Sequence, residues 1–195
     1  APRQLTDFTD PTSFSTAAQG LVASGGTEPG YLATAFALNA VDGQTDLFSY
    51  RSNAVKNIII VSDEPNNPNN SSSYGTVGGA NVNSSLLDLI LTNNNALYNG
   101  ILTAGNTTNS YGTLINDHGG NVFSLNQFQS TNQSVVETFV RNIAETKLQE
   151  TLDFCQLNPN DPACNVTSVS EPAPFALLAL GLAGIVSVRR MSKTA

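Results

Sequence analysis

The sequence predicts an α/β protein: a doubly wound, mostly parallel sheet with helices on both faces, followed by a linker and a C-terminal hydrophobic helix. Three observations carry that prediction. Ile58, Ile59, Ile60 and Val61 form an unbroken β-branched run, as in a strand covered by helices on both faces. Strand and helix patterns then alternate from residue 56 to residue 152, the signature of parallel strands joined by crossovers. A separate uncharged apolar run, Phe175 to Val188, stands behind a Pro-rich break. The expected organisation is an α/β domain over 1–152, a linker over 153–170 and a terminal segment over 171–195.

Taken in order, "TSFSTAAQGLVAS" (12–24) reads as a short helix with Phe14, Ala18, Leu21 and Val22 on one side. "GGTEPG" breaks it. "YLATAFALNAV" is a second helix, with Thr27 suited to cap its first turn and Pro29 suited to its start. "KNIIIVS" (56–62) is a strand, and 64–83 is Asn/Ser/Gly loop. "SSLLDLILTNN" (84–94) is a helix, "ALYNGILTAG" (96–105) a strand, and "SYGTLINDHGG" (110–120) a helix closed by Gly119 in the left-handed position. "NVFSL" (121–125) is a third strand. "SVVETFVRNIAETKLQETL" (134–152) is a helix opened by a Ser134–Glu137 capping box, with Val136, Phe139, Val140, Ile143 and Leu148 as its buried stripe.

Composition narrows the functional classes. The 195 residues are 40% apolar, enough for a core, but only 12% charged, about half the usual share. The formal net charge of -7 argues against nucleic-acid binding, which needs clustered Lys and Arg. No G-x-S-x-G elbow, P-loop or G-x-G-x-x-G is present, and the one histidine, His118, sits at a helix end where it serves as a terminal cation or cap. The chain is therefore expected not to be an enzyme. The two cysteines, Cys155 and Cys164, bracket a Pro/Asn-rich stretch suited to a small surface disulfide, which implies an oxidising compartment.

In an open parallel sheet, ligands bind beyond the carboxyl ends of the strands. Asp63 occupies that position after "NIIIVS", and Thr27 sits in a glycine loop feeding a helix. One carboxylate and one hydroxyl are hard oxygen donors suited to Mg²⁺. "SGGTEPGYLATAFAL" followed by "AVKNIIIVSDEPNN" resembles the second half of a von Willebrand factor type A domain. In that family a glycine-flanked threonine and a strand-ending aspartate belong to a metal-ion-dependent adhesion site. The resemblance covers about residues 5–150. It implies that Thr27 and Asp63 are metal ligands, and that a protein or matrix partner presenting a carboxylate completes the Mg²⁺ shell. Glu64 stands where the family usually has glycine, and the family's Asp-x-Ser-x-Ser motif is not found. That motif and the first strands are expected upstream of Ala1, so the chain alone is expected to bind metal weakly.

The apolar run of the tail spans about 21 Å as a helix, short of the roughly 30 Å hydrocarbon core of a bilayer; counting from Ala173 and adding snorkelling Arg189 improves the fit, with Arg189 and Arg190 as the flanking basic pair. "SEPAPFALLALGLAGIVSVRRM" is similar to the PEP-CTERM sorting signal of Gram-negative bacteria, with Glu171-Pro172 as the motif remnant and Ser170 in place of its first proline. That resemblance implies export, transient inner-membrane anchoring, processing by an exosortase-type enzyme, and delivery to the envelope or extracellular matrix. The expected function is a surface-sorted binding or adhesion module; the alternative is a structural matrix protein with a decayed metal site.

Overall fold

The structure is a computed structural model and describes residues 4–7, 10–19, 28–44, 47–67 and 71–164. Thr27 lies outside these residues, as does the whole tail with Glu171, Pro172, Arg189 and Arg190. Among the described residues no helix is long and apolar enough to cross a membrane. The elements run α1 (Pro11–Gln19), α2 (Gly30–Ala37), β1 (Lys56–Ser62), α3 (Ser71–Tyr74), α4 (Ser84–Asn93), β2 (Ala96–Leu102), α5 (Asn106–Asp117), β3 (Val122–Ser124), α6 (Leu125–Phe128) and α7 (Gln133–Leu157).

The three strands form a parallel sheet in the order β1-β2-β3. This is the layout expected when a helix separates each strand from the next. β2 is central and buried at every position. Its residues alternate between two apolar clusters because successive side chains point to opposite faces. Tyr98 and Leu102 join α2, α4 and α5 residues such as Leu32, Leu87, Leu91 and Ile115 in the main cluster. Ile101 faces the other way and meets Leu125, Phe139, Phe123 and Ile143 under α6 and α7.

β1 departs from expectation. The sequence predicts burial on both faces, but Ile59 and Val61 are 42% and 51% exposed, whereas Ile58 is buried. The reason is lateral position. β1 pairs only with β2 among the described strands, and the second cluster covers Ile101 of β2 rather than the neighbouring Val61. The α7 stripe is also corrected. Phe139 is buried, but Val140 and Leu148 are 54% and 64% exposed, and the buried position two turns after Ile143 is held by Glu150.

Several element ends shift for identifiable reasons. α2 stops at Ala37 because Asn39 adopts a positive φ of 58°, a conformation Asn tolerates better than most residues. Its side chain accepts from the Leu47 and Phe48 N–H groups and donates to the Phe48 carbonyl. α7 is capped by Asn132, which accepts from the Ser134 N–H, not by a Ser134–Glu137 box; Gln133 instead donates to Glu137. The helix continues to Leu157, where the Cys155–Cys164 disulfide, Cα–Cα 5.2 Å, folds the following turn back onto it. The second strand ends at Leu102, before "TAG", and α5 starts at Asn106 behind Gly105 at φ 88°. Gly119 takes the left-handed position that the sequence assigns to it, with φ 66°.

Candidate functional site at the carboxyl end of β1

β1 delivers Ser62 and Asp63 to the rim of the sheet, and the rim is held by side chains from four separate segments. Ser62 is 5% exposed. Its hydroxyl lies 2.8 Å from the Glu64 carbonyl and 3.1 Å from Glu28 Oε2, and the Glu64 N–H points back at its oxygen at 3.2 Å. One hydroxyl hydrogen must serve both acceptors, so the arrangement ties the 62–64 turn to Glu28 by a shared bond.

Glu28 also pairs through its backbone. It forms a parallel bridge with Asn66, and its carbonyl accepts from the Asn67 N–H at 2.9 Å. Asn66 in turn accepts from the Tyr31 N–H at 2.9 Å, satisfying a first-turn donor of α2 from across the rim. The Asn66 N–H donates to Ser110 Oγ, and the Tyr31 hydroxyl donates to the Ser110 carbonyl at 2.6 Å. The α2 start is thus capped by Asn66; Pro29, at the N-cap position, supplies no side-chain bond.

Asp63 is exposed. Its carbonyl accepts from the Thr103 and Thr107 hydroxyls at 2.9 and 3.0 Å, which anchors the backbone of the turn while the side chain stays exposed. Glu64 and Glu28 are partly buried beside it. Asp63 thus shares the β1-end turn with Ser62 and Glu64, Glu28 is tied to that turn through the Ser62 hydroxyl, and Thr27 precedes the described segment that starts at Glu28. Among the described residues, no group of three or more His, Cys, Asp and Glu side chains is gathered to hold a metal ion.

Beneath the rim lies Tyr111, fully buried, with its ring edge-on to Tyr31 at 5.5 Å between centroids. Its hydroxyl faces Gly30, where any Cβ would collide with it. Burial pushes the Tyr111 pKa up; the nearby Ser62 hydroxyl opposes this, and Tyr31 and Glu28 add to it. Although Ser62 is close, the Tyr111 hydroxyl makes no bond of acceptable geometry and remains a buried unpartnered group.

His118 caps α5 and places Nε2 2.8 Å from Asp88 Oδ1, a helix-end role matching its sequence reading. Two features escape that reading. Glu28 and Tyr111 carry no motif, and only the folded contacts show them at the rim. The polar pair Asn99 and Glu150 does leave a signal: each interrupts an otherwise apolar face, Asn99 within "ALYNGIL" and Glu150 at helical spacing from Phe139 and Ile143. The chain matches no protein-family model, and no curated protein or solved structure is significantly similar to it.

Proposed function

We propose that the chain is a surface-sorted binding module of von Willebrand A-like, doubly wound architecture, in which a divalent cation at the carboxyl end of β1 bridges to a partner carboxylate. The observation that carries this reading is the exposed carboxylate of Asp63 on a turn locked by Thr103 and Thr107, with Glu28 fastened to the same turn. Asp63 and Thr27 would hold the cation, with Ser62 and Glu64 forming the turn that aims Asp63. The cation supplies a Lewis-acid position open to an acidic group of a protein or matrix ligand. The disulfide suits an oxidising compartment, and the PEP-CTERM-like tail supports export, envelope or matrix delivery, and processing by an exosortase-type enzyme.

The test is a Mg²⁺ titration into the millimolar range, followed by melting temperature, on the chain and on Asp63→Ala and Thr27→Ala. Stabilisation should approach about 2.7 kcal/mol only at a hundredfold excess over Kd and should vanish in both variants. An equal response in all three proteins, or none in any, removes the adhesion-site reading and leaves a structural matrix protein.

A further inference from the structure

A buried polar cluster lies away from the rim, between β2 and α7. Asn99 is 0% exposed and Glu150 5% exposed; the Lys147 side chain is 17% exposed. Lys147 Nζ donates to Glu150 Oε2 at 2.7 Å. The same oxygen accepts from Asn99 Nδ2 at 3.2 Å. One carboxylate oxygen therefore lies between a primary amine and a carboxamide nitrogen. The Asn99 carbonyl oxygen accepts from the Asn121 backbone N–H at 2.8 Å, and Asn99 Nδ2 also donates to Asn57 Oδ1 at 3.0 Å. Asn121 Nδ2 holds the other carboxylate oxygen at 2.7 Å.

These positions supply each part of an acyl transfer: a nucleophile, a polarised carbonyl, a leaving group and a proton carrier. The Asn121 N–H points at the oxygen on which negative charge would develop. The Asn99 side chain is fully buried, which limits competition from hydrolysis. Burial lowers the Lys147 pKa, against the opposing pull of Glu150, which raises the share of free amine available for attack.

We propose that Lys147 and Asn99 form an intramolecular isopeptide bond, with Glu150 as the proton carrier. Glu150 takes a proton from the Lys147 ammonium, and the Nζ lone pair attacks Asn99 Cγ. The tetrahedral intermediate collapses with cleavage of Cγ–Nδ2. Two of the three ammonium hydrogens of Lys147 reach Nδ2 through Glu150, and one ammonium ion leaves. Charge and atoms balance without oxidant, cofactor or a further reactant. The product would weld α7 to the central strand.

Intact mass spectrometry of the full chain, with its disulfide reduced, tests this directly. The mass should be one ammonia below that of the sequence, and fragmentation should give a branched peptide joining position 147 to position 99. Lys147→Arg and Glu150→Gln should each show the full sequence mass. An unmodified wild-type mass overturns the proposal, whether or not the variants fold. So does a loss of ammonia that persists in Lys147→Arg, or a branch at Asn121.

Discussion

Replacing Tyr111 by Phe removes one oxygen atom and asks whether the space under the rim is strained. The hydroxyl is buried and makes no hydrogen bond. A buried, unsatisfied hydroxyl costs about 1–3 kcal/mol. The cavity left by one oxygen costs only a few tenths of a kcal/mol, at about 24 cal/mol per Å³. The net expectation is a stabilisation of about 1–2 kcal/mol, or a rise in Tm of roughly 2–8 °C for a chain of this size. Gly30→Ala probes the same contact from the other side. Its new methyl meets the Tyr111 hydroxyl and ring, so overpacking should cost about 1–3 kcal/mol, against a helix-propensity gain of at most about 1 kcal/mol. Because the ring also stands within 3.0 Å of that methyl, Tyr111→Phe should relieve Gly30→Ala only in part. The double-mutant coupling should be at least about 0.5 kcal/mol. Urea unfolding with the disulfide intact measures all four corners of the cycle. A loss of more than about 1 kcal/mol in Tyr111→Phe would show that the hydroxyl has a partner. Strict additivity of the two changes would refute the packing argument.

Two further outcomes follow from the same structure. Reducing the Cys155–Cys164 disulfide, which spans a sequence separation of 9, should lower stability by about 2–3 kcal/mol in the chain-entropy description; an unchanged urea midpoint would contradict it. The Asp42 carboxylate accepts from the Gly79 N–H, the Thr76 hydroxyl and the Gly78 N–H, led by Gly79 these hold its pKa below the ordinary 3.8. A carboxyl whose folded pKa is depressed stabilises above its unfolded pKa and loses that contribution as pH falls through the folded value. Asp42→Asn should therefore flatten the stability profile below about pH 4, and a parallel profile in the variant would count against the bonds.

The sequence made the parallel sheet legible because a β-branched run and a repeated strand–helix alternation are local signals. β1 was placed at Lys56–Ser62 by the same signals. Its exposed face was not legible. Ile59 and Val61 look like core residues in the chain, and only their position at the sheet edge leaves them uncovered. The same limit applies to Val140 and Leu148, since helical spacing marks a stripe but not how wide a stripe the sheet covers. The position of Asp63 just past the carboxyl end of β1 is legible because the strand itself is. Glu28, Ser110 and Asn66 join it through contacts 34 to 44 residues apart in sequence, which no local pattern encodes. The Asn66 bond to the Tyr31 N–H also explains why α2 starts without a capping side chain of its own.

Paramagnetic broadening of backbone amide resonances by substoichiometric Mn²⁺, a Mg²⁺ surrogate whose effect reports even weak sites, tests a cation at the β1 end most directly. The signals of residues 62–64 and of the Thr103 and Thr107 region should be lost selectively, and Asp63→Ala should abolish that loss. Broadening centred on other acidic residues, or a pattern unaltered by that substitution, would contradict it.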